Sequence, residues 1–473
     1  MSDGILEPLF PALGPWLEGR RWFDARFTGA RLEARAASAL GDEPPLLLHA
    51  VVSAARPDGQ TLHYQLLLGL RPELPARLEP AAITTVPAGP WQGWRVYDAL
   101  ADGALLGLLL RKLAGGGTGP GPRLERTGRY PLPVGLVPHP LDGEMSNTAV
   151  AYGGQILLKI FRRPEPGPHT EVEALHALTR EHCARTPRLY GALHSDAPGA
   201  EGLVLGLVEE FLPDARDGWE EAVRHASDCM DEAGRGVPTG GGFTPHAHSL
   251  GRAVAEVHGA LDKAFGRSRL TAQDVAEEAA GMNMRLKEAA EEVPALARYT
   301  TRIGALFDDY ARVAGRGRPV FAQRTHGDLH LGQALRTADG WRIVDFEGEP
   351  ARTAAERALP QPVLRDVAGM LRSFDYAART GLADLESGDS GDGSPARRMR
   401  RRRWASAWAL RNRRAFIEGY AAAGGEDPHC RPVVLRAFEA DKAVYEAVYE
   451  SRLRPDRLPI PLAAVHRLAN ASR

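Results

Sequence analysis

Residues 323–349, QRTHGDLHLGQALRTADGWRIVDFEGE, constrain this chain more than any other stretch. A carboxylate, Asp328, stands five residues before an amide, Gln333, and a second carboxylate, Asp345, follows the apolar run 341–344. One carboxylate to take a proton from an attacking hydroxyl, and two oxygen donors for a divalent cation, form the set that phosphoryl transfer needs. Such reactions are driven by positioning and charge neutralisation rather than by covalent chemistry. The expectation is Asp328 as base, Gln333 and Asp345 as Mg²⁺ ligands on a nucleotide, and 341–344 as the strand that delivers Asp345.

The same five-residue interval separates the catalytic Asp from the metal-binding Asn in protein-kinase loops, where a D-F-G follows. Here Asp345-Phe346-Glu347 takes that place, and Glu347 replaces the Gly, so kinase-style switching of this segment is not expected. A small-molecule kinase is the reading to test against the rest of the chain.

At 473 residues the chain exceeds one ordinary core, and two or three domains are expected. Hydrophobic content of 44% with 25% charged residues is that of a globular soluble protein. The formal net charge of -1 argues against nucleic acid or an anionic membrane as partner. Cys183, Cys229 and Cys430 are far apart and have no metal-binding spacing, which suits a reducing cytoplasm. The start MSDGILEPLFPALGPW lacks the features of a signal peptide, and the apolar run 104–110 is too short to span a bilayer.

Three domains are expected, a cap over 1–90, an intermediate subdomain over 91–212 and a helical lobe over 213–473. In the cap, a short helix carrying Trp16, Leu17, Trp22 and Phe23 is expected to be pinned to a sheet. Runs 46–53 and 62–70 read as strands joined at Asp58-Gly59. Leucines at helical spacing make 96–114 a predicted helix, and GGGTGPGPR after it a boundary.

Strands are predicted at 148–152 and 155–161. The second carries Lys159, alone in an apolar run; a buried ammonium needs an anion. In a kinase that anion is the nucleotide phosphate together with a glutamate from the next helix. Glu171 is the first candidate and Glu173 the second. Ser146 and Asn147, in the loop before the first strand, can donate to phosphates. There is no G-x-G-x-x-G and no Walker A motif, which excludes a P-loop enzyme. The run 203–212 ends where a kinase hinge would meet adenine, at Glu209 and Phe211.

Further on, helices are predicted at 215–231, 250–261 and 272–314, with a Gly-rich loop, GRGVPTGGGFTP, after the first. His258 is expected to be a satisfied core histidine. A helix over 364–376 begins near Asp366, expected to support the catalytic loop. SGDSGDGSP reads as a linker, and the basic run 397–403 as a solvated helix start. Lys442, Tyr445, Glu446 and Tyr449 share one helix face, which suits either a polyhydroxylated ligand or packing on the lobe.

RRWF, EMSNTAV, ILLKIFRR, HGDLHLGQALRT, VDFEGEPA, LRDVAGMLRSFDYAA and DKAVYEAVYESRLRPDRLPIPL occur in this order. Together they resemble bacterial maltokinases, within the aminoglycoside-phosphotransferase and choline-kinase-like superfamily. The resemblance implies an α+β, bilobal protein-kinase-like fold: an N-terminal α+β cap module, a β-rich intermediate subdomain and a helical C-lobe. It implies ATP and Mg²⁺ as cofactors, Lys159 on the phosphates, Asp328 as base, and Lys442, Tyr445 and Tyr449 lining the sugar site. His330, Arg372, Tyr376 and Glu446 complete the candidate acceptor set. The implied reaction is phosphorylation of maltose at the anomeric hydroxyl, feeding α-glucan synthesis, by a cytoplasmic monomer. Related kinases act on glucosamine, so another sugar such as glucosamine or glucose is the alternative, and a non-catalytic scaffold is a further one. The cap is a candidate docking surface for a partner enzyme of trehalose or α-glucan metabolism.

Overall fold

The strand β2 (Leu46–Ala55) shows how the first part of the chain is built. It is buried along nearly its whole length, without the alternation of a half-exposed strand, because both of its faces are covered. Leu46, Leu48, Ala50, Val52 and Ala54 point into one core with Leu9, Leu13 and Leu17. Leu47 and Val51 point into a second core with Leu105, Leu106, Leu109, Leu110 and Leu113. This computed structural model describes residues 3–41, 43–116, 121–128, 130–141, 147–197, 199–235, 242–316, 319–350, 352–388 and 394–470. The chain divides into two compact units, Met1–Arg180 with Pro187–Pro213, and Glu181–Thr186 with Asp214–Arg473.

The first unit opens with α1 (Asp3–Leu6) and α2 (Phe10–Glu18). A five-stranded antiparallel sheet follows, of β1 (Arg31–Leu40), β2, β3 (Thr61–Arg71), β4 (Ala82–Thr85) and β5 (Arg95–Asp98), in the order β1-β2-β3-β5-β4. The β2–β3 hairpin runs in register from Leu46↔Leu70 to Ala55↔Thr61, and its turn carries Gly59 at φ 86°. Trp22 and Phe23 lie beyond α2, which ends at Glu18, and pack on the Tyr64 ring at 6.0 and 5.2 Å. They are pinned to a sheet, as expected, but not from within a helix.

The helix predicted over 96–114 begins later. Val96 and Tyr97 belong to β5 and enter opposite cores, as neighbours on a strand must. Asp102 then caps α3 (Gly103–Ala114), its carboxylate accepting from the Ala104 N–H at 3.1 Å. The strand β1 was not expected from the sequence; its alanines and alternating charges favour a helix by propensity.

A six-stranded antiparallel sheet completes this unit, built from β6 (Pro122–Arg126), β7 (Pro138–Pro140), β8 (Asn147–Tyr152), β9 (Ile156–Phe161), β10 (Leu189–Ser195) and β11 (Val204–Glu210). Their order is β6-β10-β11-β9-β8-β7. α3 shares a core with this sheet through Val150, Leu158 and Leu205, and α4 (Thr170–Arg180) follows β9. The two sheets are also tied by polar groups. The Gln65 amide nitrogen donates to the Phe161 and Leu205 carbonyls at 3.0 and 2.7 Å, while its oxygen accepts from His49 Nε2 at 3.3 Å.

The second unit is mostly helical. Its helices are α5 (Gly218–Arg235), α6 (Thr244–Phe265), α7 (Ala272–Glu292), α8 (Thr300–Ala311), α9 (Ala354–Ala358), α10 (Leu364–Gly388), α11 (Pro395–Ala422), α12 (Pro432–Leu453) and α13 (Pro459–Asn470). Two small sheets accompany them. One is β12 (Arg216–Asp217), β15 (Ala334–Thr337) and β16 (Gly340–Ile343); the other pairs β13 (Arg267–Arg269) with β14 (Phe321–Gln323).

Helices α6 and α11 touch backbone to backbone. A Cβ on Gly251 would meet the Phe416 carbonyl oxygen at 2.1 Å, and one on Gly419 the His248 carbonyl oxygen at 2.0 Å. The basic run 397–403 is not uniformly solvated. Arg401 is buried and joins Arg397 on Asp231 of α5, at 3.0 and 3.3 Å, because their shared face of α11 packs inward. Arg402 and Arg403 do face solvent. Among the described residues no helix is long and apolar enough to cross a membrane.

Candidate active site

The loop after β14 is fixed from behind by one carboxylate. Asp366, in the first turn of α10, accepts from the N–H groups of His326 and Gly327 at 2.8 and 3.0 Å. His258 Nε2 donates to the same carboxylate at 3.0 Å, and His258 Nδ1 meets the Tyr420 hydroxyl at 2.9 Å. Burial raises the Asp366 carboxyl, but the His258 bond and the loop N–H outweigh it and hold it below the usual carboxylate range. His258 is thus the satisfied core histidine expected. Asp366 supports the loop, through the loop's N–H groups rather than through those of its own helix.

His326 closes the loop onto the strand that precedes Asp345. Its Nε2 donates to the Val344 carbonyl at 2.9 Å, and its Nδ1 accepts from the Asp328 N–H at 3.3 Å. Gly327 adopts φ 87°, and a Cβ there would lie 3.3 Å from Gly348, so the loop needs a glycine. His330 caps the short turn Leu331–Gln333, its Nδ1 accepting from the Gly332 N–H at 3.1 Å, and burial lowers its pKa.

The Asp328 carboxylate meets Lys442 of α12, Oδ1 to Nζ, at 2.8 Å. Lys442 also faces Glu349 Oε1 at 3.8 Å. Burial by itself would raise Asp328, yet the ammonium holds its carboxyl below the ordinary range. Burial likewise works against the Lys442 ammonium, but the two carboxylates push its pKa up. The pair is therefore ionised at neutral pH.

Gln333 and Asp345 are brought together, the Gln333 amide nitrogen donating to Asp345 Oδ2 at 2.9 Å. The β15–β16 hairpin sets this contact, and Val344 N–H returns to the Gln333 carbonyl at 3.0 Å. Asp345 adopts φ 65°, a left-handed conformation costly for any residue with a Cβ. An amide oxygen and a carboxylate are hard oxygen donors, and with the amide nitrogen occupied by Asp345 the Gln333 oxygen is available to a cation. Both fit Mg²⁺.

The remaining acceptor candidates lie on α10 and α12. Arg372 is buried, with Nη2 on Glu446 at 2.5 Å and Nη1 on Asp375 at 3.3 Å. The Tyr376 hydroxyl donates to Glu450, and its ring lies 5.8 Å from Trp219. Tyr445 and Tyr449 stack at 6.4 Å, and the Lys442 ammonium lies 4.7 Å from the Tyr445 ring centre. Glu349, Glu450 and Trp219 were not singled out in the sequence. The repeat VYEAVYE, with Tyr-Glu at i and i+4, was a usable signal for Glu450.

In the first unit, Lys159 meets both oxygens of Glu171 at 2.9 and 3.1 Å. Asn147 opens β8, directly across from Phe161. Glu209 is buried in β11, and the Phe211 N–H donates to the Gln155 carbonyl at 3.0 Å. Ser146 lies outside the described residues.

A β-sheet lysine paired with a helical glutamate, and a loop carrying Asp328, Gln333 and Asp345 ahead of a helical region, define the protein-kinase-like fold class. A solved glucosamine kinase in complex with glucosamine, ADP and inorganic phosphate matches with a TM-score of 0.65 and 25% identity, over 93% of this chain and 94% of that one. A second glucosamine kinase structure, crystal form A, matches with a TM-score of 0.67 and 24% identity, over 98% of both chains. Residues 16–102 match the maltokinase N-terminal cap domain. Glucosamine kinase of Streptacidiphilus jiangxiensis is 33% identical over 286 residues, 59% of this chain and 60% of that protein. The glucosamine kinase of Mycolicibacterium smegmatis (strain ATCC 700084 / mc(2)155) is 28% identical over 343 residues, 69% of this chain and 78% of that protein. The match thus spans less than two thirds of the Streptacidiphilus protein. The resemblance to maltokinases is borne out over the cap, residues 16–102.

Proposed function

We propose that this chain is an ATP-dependent sugar kinase and that its acceptor is an amino sugar of the glucosamine type. The observation that carries the kinase reading is the Asp328–Lys442 pair: a carboxylate kept ionised on a loop that also presents Gln333 and Asp345. In this reading Asp328 receives the proton of the acceptor hydroxyl as that oxygen bonds to the γ-phosphorus. The bond from the γ-phosphorus to its bridging oxygen breaks, and ADP leaves. Lys159, oriented by Glu171, binds nucleotide phosphate, and Gln333 and Asp345 offer their oxygens to Mg²⁺. When bound, the ion supplies charge neutralisation on the phosphate oxygens. Glu209 and Phe211 are proposed to meet the adenine edge.

The amino-sugar acceptor is supported by the relatives, which are named glucosamine kinases. Maltose, the acceptor expected from the sequence, is the second reading. It is favoured by the maltokinase-type cap and by the Tyr445–Tyr449 stack, which suits C–H faces of a neutral sugar. ADP release with glucosamine, maltose, glucose and an aminoglycoside separates the two. The expected result is a kcat/KM for glucosamine at least about tenfold above the others, a difference of about 1.4 kcal/mol in transition-state binding. Release with maltose above all others selects the second reading, and release with none overturns the kinase reading.

A further inference from the structure

We infer that Glu349 is a positioning residue of the phosphoryl-transfer step: the second resting place of the Lys442 ammonium, which leaves Asp328 for Glu349 when an acceptor hydroxyl arrives. This deepens the proposed kinase reading and rests on Asp328 being its base.

The geometry is asymmetric in an informative way. Lys442 Nζ lies 2.8 Å from Asp328 Oδ1 and 3.8 Å from Glu349 Oε1. The first is a charge-assisted hydrogen bond; the second is an ion pair just out of bonding reach. Glu349 cannot close that gap itself. Its other oxygen, Oε2, is taken by Arg352 at 3.0 Å and Arg365 at 3.6 Å. Arg365 in turn faces Asp441 at 3.7 Å and Glu278 at 3.8 Å, and Asp441 is gripped by Arg285 at 2.9 Å. The carboxylate is a fixed post with one oxygen aimed at Lys442. A lysine has a flexible stem and rotatable donors, so it is the partner that moves. A shift of about 1 Å would bring Nζ to bonding distance of Glu349.

The chemistry calls for such a second partner. While Lys442 is bonded to Asp328, the carboxylate's charge is neutralised and its affinity for a proton is low. An acceptor hydroxyl that donates to Asp328 competes with the ammonium for it. With Glu349 beside it, Lys442 leaves Asp328 without becoming an unpaired buried charge, a state that would otherwise cost several kcal/mol. Asp328 then holds its full negative charge as it takes the acceptor's proton, and neutral Asp328 no longer draws Lys442 back.

The test uses the full chain as Glu349→Gln and Glu349→Asp, with kcat normalised to the number of ADP-binding sites measured by titration. The normalisation removes any loss from misfolded protein. Glu349→Gln is expected to lower normalised kcat about tenfold with KM for ATP unchanged, and Glu349→Asp, which keeps the carboxylate, to recover most of that loss. If Glu349→Gln does not fold, Arg352→Met, which loosens the post, is expected to give a smaller fall of the same kind. Normalised kcat within twofold of wild type for the variants that fold, or a Glu349→Asp no faster than Glu349→Gln, overturns the inference while wild-type turnover leaves the kinase reading standing. Absence of ADP release by the wild type with every sugar overturns both.

Discussion

Lys159 and Lys442 put the same charge into two different fabrics. Lys159 stands on a strand and meets a glutamate only twelve residues away, on the helix that follows. Lys442 stands on a long helix and meets an aspartate 114 residues away, with a second carboxylate behind it. The sheet lysine has a local partner set by strand register and a helix start. The helix lysine belongs to a network assembled from α7, α10, α12 and the segment after Asp345. A local pair survives changes elsewhere, whereas a network couples the base to distant packing. The cap sheet shows a third solution: His49 is buried neutral, and burial brings its pKa down to about 4.

The comparison is broken most sharply at Asp328. Asp328→Asn is expected to lower kcat about 10³-fold while the protein stays folded, because Glu349 still faces Lys442; ADP release and thermal unfolding check both halves. Next comes the pair of lysines. Lys159→Met is expected to lower kcat/KM for ATP about 10²-fold with little change in acceptor KM. Lys442→Met is expected to affect the acceptor side instead and to cost about 3 kcal/mol of stability, since it leaves the Asp328 carboxylate without its ammonium partner. Steady-state kinetics with each substrate varied, and urea unfolding, distinguish the two.

An effect on stability alone, with no change in turnover, is expected at His49. Its folded-state pKa is depressed, so the unfolded chain takes up the proton first, and stability is full above the unfolded value of about 6.5. It is lost as pH falls from there towards 4, by about 3 kcal/mol in all. Urea midpoints at pH 7.5 and 4.5 for wild type and His49→Gln check this; the substitution is expected to flatten the slope by that amount.

Elements whose signals are local were legible in the sequence. The β2–β3 hairpin, the strand with Lys159, the helix that follows it and the Asp345 strand are all where spacing and turn residues put them. The stretch 96–114 misled because leucine periodicity ran back over Val96 and Tyr97; Asp102, a helix-capping residue, marked the true start. Burial of Arg401 and the presence of Glu349 behind Lys442 were not legible. Each depends on a partner more than ninety residues away, and a charged residue carries no mark in sequence of whether it faces water or an ion of opposite sign. The identity of the acceptor was least legible for the same reason, since Arg372 engages Glu446 and Tyr376 engages Glu450 across α10 and α12.

Asp345 bears on how this protein would respond to selection. Its backbone, at φ 65°, is one that glycine adopts without strain and that aspartate tolerates at a cost of about 1 kcal/mol or more. Laboratory evolution for thermal robustness alone would therefore drift towards glycine at this position and enrich well-folded chains that have lost a cation-binding oxygen. A library screened for heat resistance needs turnover as a second gate, because at this residue durability and chemistry pull in opposite directions.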